Sequence, residues 1–389
     1  MSTNPLLKIQ ELGQSVWLDL IRRSMIVSGE LRRLIKEDGL RGVTSNPDIF
    51  EKAIVETEDY ASDIRSLSFE DRNSEQIYET LATEDIRQAA DEFRPVFDEL
   101  DGRDGFVSLE VSPKLALDTD ATVREARRLW QALNRPNVFI KVPATKEGLV
   151  AIKQLIGEGI NVNVTLLFGL DRYREVAESY ISGLETAAAA GKSLKQISSV
   201  ASFFLSRIDV LVDPMLEKII DRGGENASIA KSLRGETAIA CAKAAYRIYK
   251  EIFIGERWEN LTQNGARTQR VLWASTSTKN PAYSDVKYVE ALIGPDTVNT
   301  LPLETLKAYR DHGQPAARLE QDLESSYGVL EQLSRLGISL DEVSQQLENE
   351  GIEKFVKPFE KLLNALEEKR REALGRHTAS DRMEHRKSL

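Results

Sequence analysis

Cysteine is almost absent: Cys241 is the only one in 389 residues. An intramolecular disulfide and a cysteine-rich zinc site are therefore excluded. Cys241 lies in Ala238-Ile-Ala-Cys-Ala-Lys243, a helical pattern suited to a buried structural thiol, and a reducing cytoplasm is the expected compartment. Histidine is nearly as scarce. His312, His377 and His385 all fall late in the chain, so a histidine triad or metal site is not expected. Acid–base work falls instead to carboxylates, hydroxyls or lysine. No apolar run is long enough to cross a bilayer. Met1 to Gln10 lacks the basic start and apolar core of a secretory signal. A surplus of basic charge is missing too: the formal net charge is −10, which disfavours nucleic-acid binding. A small phosphorylated ligand would need a local cluster of arginine or lysine. Neither GxxxxGK[ST] nor a convincing GxGxxG is present, so phosphate must be held by other means.

What is present alternates. Short β-rich runs near 15–20, 40–46, 105–112, 138–143, 161–167, 197–205, 270–276 and 297–301 read as eight strands. Helical patterns near 119–134, 145–158, 169–190 and 281–293 lie between them. Strand–helix alternation predicts a parallel sheet, and eight units predict a closed (β/α)8 barrel. Residues 51–100 and 210–265 read as helical insertions, the second with two or three helices and a break at Arg222-Gly-Gly-Glu-Asn226. The barrel with its insertions is expected to occupy 1–313. Residues 314–374 read as C-terminal helices packed on it, with Ser339-Leu-Asp-Glu342 as a capping box. Residues 375–389 are charged and expected to be a mobile tail.

The strand faces carry the next inference. Successive strand residues point to opposite sides. Asn161, Asn163 and Thr165 share one side while Val162, Val164 and Leu166 share the other. Ser108 and Glu110 oppose Val107, Leu109 and Val111; Trp17 and Asp19 oppose Val16, Leu18 and Leu20. A parallel strand buried on both sides should be almost wholly apolar. Here the aliphatic side suits an outer helix layer, and the polar sides converge inside a barrel. An antiparallel sheet with one wet face also explains alternation, but not the helices between strands.

One lysine stands out. Lys141 sits within the apolar run Val138-Phe-Ile-Lys-Val-Pro143, and desolvating an ammonium is costly. Burial favours the neutral amine of a lysine, and a neutral amine attacks a carbonyl to form a Schiff base. Taken alone, an ordinary strand-end lysine reaching water explains Lys141 as well. Its company changes that: Asp19, Glu110, Asn163 and Thr165 are also late in their strands, where barrel enzymes keep their chemistry. Asn46 joins them in Gly42-Val-Thr-Ser-Asn-Pro47, where the following proline forces an extended backbone. Arg207 and Lys279 follow hydroxyl-rich strand ends and are candidate phosphate ligands, although Arg207 could equally pair with Asp209.

Trp17-Leu-Asp19, Gly42-Val-Thr-Ser-Asn-Pro47, Val138-Phe-Ile-Lys-Val-Pro143 and Ile160-Asn-Val-Asn-Val-Thr-Leu-Leu-Phe168 resemble the signatures of transaldolase, a class I aldolase family. The resemblance runs from about Asn4 to about residue 335 and looks closest to the longer bacterial type, with Trp273-Ala-Ser-Thr-Ser-Thr-Lys-Asn-Pro-Ala-Tyr283 and Gly294-Pro-Asp-Thr-Val-Asn-Thr300. It implies a Schiff base at Lys141, acid–base work by Asp19, and a water positioned for proton shuttling by Glu110 and Thr165. It further implies contacts from Asn46, Asn163 and Ser202 to substrate hydroxyls or the enamine, and phosphate held by Arg207. Lys279 stands where many relatives have arginine, and Ser206 replaces a glycine often found before the phosphate arginine. The implied substrates are phosphorylated sugars, with no cofactor and no metal, in the non-oxidative pentose phosphate pathway. Two rivals are a free aldolase of the same superfamily and a non-catalytic sugar-phosphate-binding protein.

Overall fold

Each of the eight alternating runs forms a strand, and together they close into a barrel in chain order, every neighbouring pair parallel. The computed structural model describes residues 4–387, with side chains through residue 375. The strands are β1 Gln14–Asp19, β2 Gly42–Thr44, β3 Phe106–Glu110, β4 Val138–Pro143, β5 Val162–Leu167, β6 Ser199–Phe204, β7 Arg270–Ala274 and β8 Thr297–Leu301. This is the (β/α)8 fold expected from the alternation, with a helical extension.

Inside the barrel the side chains stack in layers. Phe106 and Phe139 stack with ring centres 4.2 Å apart, and Trp17 stacks on Phe139 at 6.1 Å, all three almost fully buried. These rings form a floor. Beneath it the buried Arg270 pairs with Asp104 at 2.9 Å, and Asp104 also accepts from Ser15 Oγ and Trp17 Nε1. Further along the same strand faces come Asp19 and Lys141, two residues past Trp17 and Phe139, and Glu110, four residues past Phe106. The register places Glu110 beside Lys141 and Lys141 beside Asn163. Polar residues thus point inward at the carboxyl ends of the strands, above an apolar floor.

Gly42 is set by this floor. A Cβ there would lie 2.6 Å from the Trp17 indole and 2.8 Å from the Phe106 carbonyl oxygen. Gly42→Ala is therefore expected to destabilise the barrel by about 1–3 kcal/mol, the usual consequence of overpacking a filled core. Urea unfolding midpoints check this; an unchanged midpoint would show that the floor can shift.

Three predicted helices appear as Thr119–Leu133, Lys146–Gly157 and Leu170–Ala189. Asp118 and Thr145 cap the first two by accepting from Ala121 N and Gly148 N. The predicted helix at 281–293 is shorter, Lys287–Ala291. Its first half is held in turns instead: Ala282 N donates to the Asn280 side chain and Tyr283 N to the Asn280 carbonyl. Residues 210–265 hold parts of four helices rather than two or three: Ser206–Arg222, Glu225–Leu233, Thr237–Ile252 and Glu256–Gln263. The break falls at Gly223 and Gly224, as expected.

After β8 come Leu303–His312, Leu323–Arg335 and one long helix, Leu340–Lys387. Ser339 Oγ accepts from Glu342 N at 3.3 Å and opens the long helix. Gly375 does not interrupt its backbone. This helix lies across the carboxyl end of the barrel. The Gly351 backbone packs so close to Leu166 and Phe168 that a Cβ would meet Leu166 at 3.1 Å. Phe359 meets Tyr78 edge-on at 5.4 Å, Lys361 pairs with Glu51 at 2.6 Å, and Lys369 Nζ donates to the Ile54 carbonyl. The helix so bridges the connections that follow β2 and β5. Among the described residues, no helix is long and apolar enough to cross a membrane.

Candidate active site

A cavity of about 340 Å³ opens at the carboxyl ends of the strands. Seven of the nine predicted site residues line it: Asp19, Asn46, Lys141, Thr165, Ser202, Arg207 and Lys279. Glu110 and Asn163 stand immediately behind, each in register with Lys141. Asp19, Glu110 and Asn163 all face inward, as the strand alternation required.

Lys141 is 4% exposed. Its Nζ donates to the Ser45 carbonyl oxygen at 2.8 Å and lies 3.2 Å from Glu110 Oε2. Burial pushes the Glu110 carboxyl above the ordinary range, against the pull of Lys141. Thr165 Oγ1 is buried beside them with no hydrogen-bond partner in the protein. The strand carrying it bulges directly afterwards: the register with β6 shifts between Val164 and Leu167, and Leu166 has φ 55°. A bulge next to a polar site re-aims side chains.

Asp19 accepts from Thr44 Oγ1 at 2.7 Å, and Thr44 is within 2.7 Å of the Thr300 hydroxyl. Two threonines from flanking strands therefore orient the carboxylate. Burial raises its pKa as well, only partly offset by Lys141 and Thr44. Both carboxyls thus shift upward for the same reason. Asn46 has the extended backbone that Pro47 imposes, φ −156° and ψ 170°, and caps the helix Pro47–Val55 by accepting from Ile49 N. Ser202 Oγ donates to Asn163 Oδ1 at 2.7 Å, and Asn163 Nδ2 donates to Ser108 Oγ at 3.1 Å. Asn163 is thereby a fixed strut behind Ser202.

Arg207 sits in the first turn of the Ser206–Arg222 helix, where backbone N–H groups favour anions. It does not pair with Asp209, which accepts from Ala238 N and Tyr288 OH instead. Its Nη1 is buried with no hydrogen-bond partner, and burial lowers its pKa. Ser206 ties this turn to the next loop, through its N–H to the Ser275 carbonyl and its hydroxyl to Ser275 Oγ. Lys279 Nζ donates to Ser277 Oγ at 2.6 Å. Its loop is anchored by Tyr283, whose hydroxyl donates to Asp213 on the arginine-bearing helix. One helix therefore places both cations.

Ser275 and Ser277, from the hydroxyl-rich strand end before Lys279, line the cavity too, whereas sequence reasoning missed Thr44, Asp48, Thr300, Lys354 and Phe355. Thr44 and Thr300 follow the same inward parity as Asp19 and were available to a strand-face argument. Lys354 and Phe355 come from the long C-terminal helix and carried no local signal. Among the described residues, no group of three or more His, Cys, Asp and Glu is gathered as a metal site would need.

An eight-stranded parallel barrel with a polar, cation-bearing cavity at the carboxyl ends of its strands has the layout of a barrel enzyme. The chain matches the family model of Transaldolase/Fructose-6-phosphate aldolase over residues 16–366, which takes in part of the long C-terminal helix. It is 49% identical over 373 residues to a Transaldolase of Trichodesmium erythraeum, covering 95% of this chain and 98% of that protein. It is 49% identical over 374 residues to a Transaldolase 2 of Nostoc sp., covering 95% and 98%. A Transaldolase of Thermobifida fusca is 46% identical over 362 residues, covering 93% and 97%. The chain belongs to the transaldolase/fructose-6-phosphate aldolase family. Within it, the chain is an enzyme, a transferase of the transaldolase type.

Proposed function

We propose that this transferase moves a dihydroxyacetone unit from sedoheptulose 7-phosphate or fructose 6-phosphate to an aldose phosphate, glyceraldehyde 3-phosphate or erythrose 4-phosphate. The reaction runs through a Schiff base at Lys141 and belongs to the non-oxidative pentose phosphate pathway in the cytoplasm. The observation that carries this reading is the Lys141 amine, buried 3.2 Å from Glu110 in a cavity that also holds Asp19 and the unpaired Arg207.

The chemistry follows from those positions. The ketose carbonyl condenses with the Lys141 amine and water leaves. The resulting iminium accepts electrons, so the C3–C4 bond breaks as Asp19 takes the proton of the C4 hydroxyl. An aldehyde departs, and a three-carbon enamine stays on Lys141. The enamine carbon then attacks the incoming aldehyde, Asp19 returns the proton, and hydrolysis frees the new ketose. Glu110 and Thr165 handle the protons of water during condensation and hydrolysis; a raised carboxyl pKa suits Glu110 to hold one. Asn46 and Ser202, with Asn163 behind Ser202, meet the sugar hydroxyls or the enamine. Arg207 and Lys279 hold the phosphate, Lys279 as a point charge rather than a fork.

Borohydride added with fructose 6-phosphate is expected to trap a covalent adduct on Lys141, located by peptide mass spectrometry. No adduct, or one on another lysine, overturns the assignment. Running the turnover assay with and without an acceptor aldehyde separates transfer from free aldol cleavage.

A further inference from the structure

Lys354 and Phe355 reach the cavity from outside the barrel, on the long helix Leu340–Lys387. Phe355 is 5% exposed. Its ring centre lies 5.8 Å from Lys141 Nζ and 5.8 Å from Arg207 Cζ. Phe204 also packs on Arg207, at 5.4 Å. Two aromatic rings thus hold the guanidinium while its buried Nη1 keeps no hydrogen-bond partner in the protein. A guanidinium held this way leaves edge donors for an oxyanion.

Phe355 also fixes its neighbour. With Phe355 wedged between Lys141 and Arg207, and the helix seated by Gly351 on one side and Lys361–Glu51 on the other, Lys354 is held at the cavity rim. Its ammonium pairs with Glu350 at 2.8 Å, one turn back on the same half-exposed face. Such exposed pairs along a helix contribute little, so a phosphate dianion competes for the ammonium. Lys357, one turn further on, provides the contrast: it is 75% exposed, pairs with Glu353 at 3.4 Å, and is absent from the cavity lining.

We propose that Lys354 is a specificity-determining phosphate ligand, joining Arg207 and Lys279 as the third cation around the substrate phosphate, with Phe355 as the positioning residue that holds it there. The proposal rests on the sugar-phosphate reading above. It makes the C-terminal helix part of the substrate site.

The test compares kcat/KM for fructose 6-phosphate with that for unphosphorylated fructose in the full-length protein. Lys354→Met is expected to lower this ratio about tenfold, the scale of one lost charged hydrogen bond. It is also expected to weaken competitive inhibition by inorganic phosphate. Lys354→Arg restores much of both, whereas Lys357→Met changes neither. Phe355→Leu lowers the ratio in the same direction by letting Lys354 drift. A ratio and a phosphate inhibition constant unmoved by Lys354→Met overturn the proposal while leaving the sugar-phosphate reading intact. A wild-type protein that does not prefer the phosphorylated donor overturns both.

Discussion

Lys141→Arg is expected to abolish transfer, lowering turnover by more than about 10⁴-fold, because the guanidinium keeps the charge but is no nucleophile. The substitution leaves a cation beside Glu110, so loss of activity would not come from an unpaired buried carboxylate. Lys141→Met provides the second arm. It fits the same slot without charge, and Glu110, whose carboxyl burial already pushes upward, takes up a proton in compensation. Both variants should unfold cooperatively and keep the wild-type circular dichroism. Turnover within tenfold of wild type in either one would rule out a covalent role for Lys141.

Asp19→Asn is the second large effect. Loss of a positioned acid–base group typically reduces turnover by about 10²–10⁴-fold. The amide retains an oxygen for the Thr44 hydroxyl, so the geometry around β1 is expected to survive. The loss should appear in kcat more than in KM, since the proton moves only as the carbon–carbon bond breaks. Stability should move the other way. Burial raises the Asp19 pKa, so the folded state binds this proton more tightly than the unfolded chain. Its stabilisation is fully present below the ordinary value of 3.8 and is lost as the pH climbs through the raised folded value. The asparagine variant has no such loss. Its Tm relative to wild type should therefore rise from acid to neutral pH. A wild-type kcat, or a pH-independent Tm difference, would remove Asp19 from the role assigned to it.

Much of this arrangement could be read from residue parity. A carboxylate, an amine and an amide on alternate positions of otherwise aliphatic strands have to face a shared interior once the sheet closes, and Asp19, Glu110, Lys141 and Asn163 do. The Asn46 turn was legible because Pro47 restricts its backbone whatever surrounds it. Long-range packing was not legible. Phe355 lies more than 200 positions along the chain from Lys141, and an apolar residue on a helix face shows only that the face is covered, not by what. The acceptors that Lys141 meets include the backbone carbonyl of Ser45, which carries no sequence signature at all. Asn163, expected to meet substrate hydroxyls or the enamine, is held by Ser108 at its Nδ2 and by Ser202 at its Oδ1, partners that no local pattern announces. The number of helices in 210–265 was underestimated because nine residues, as in Glu225–Leu233, hold too few turns to set a period.

The stacked rings of Trp17, Phe106 and Phe139 divide the barrel interior, with the Arg270–Asp104 pair on one side and Lys141 on the other. Phe106 and Phe139 have no group able to relay a proton, and the single N–H of the Trp17 ring is committed to Asp104 on the far side. The cavity at the carboxyl ends of the strands opens onto the Lys141 nitrogen, so whatever occupies it bears on hydrolysis and product escape alike.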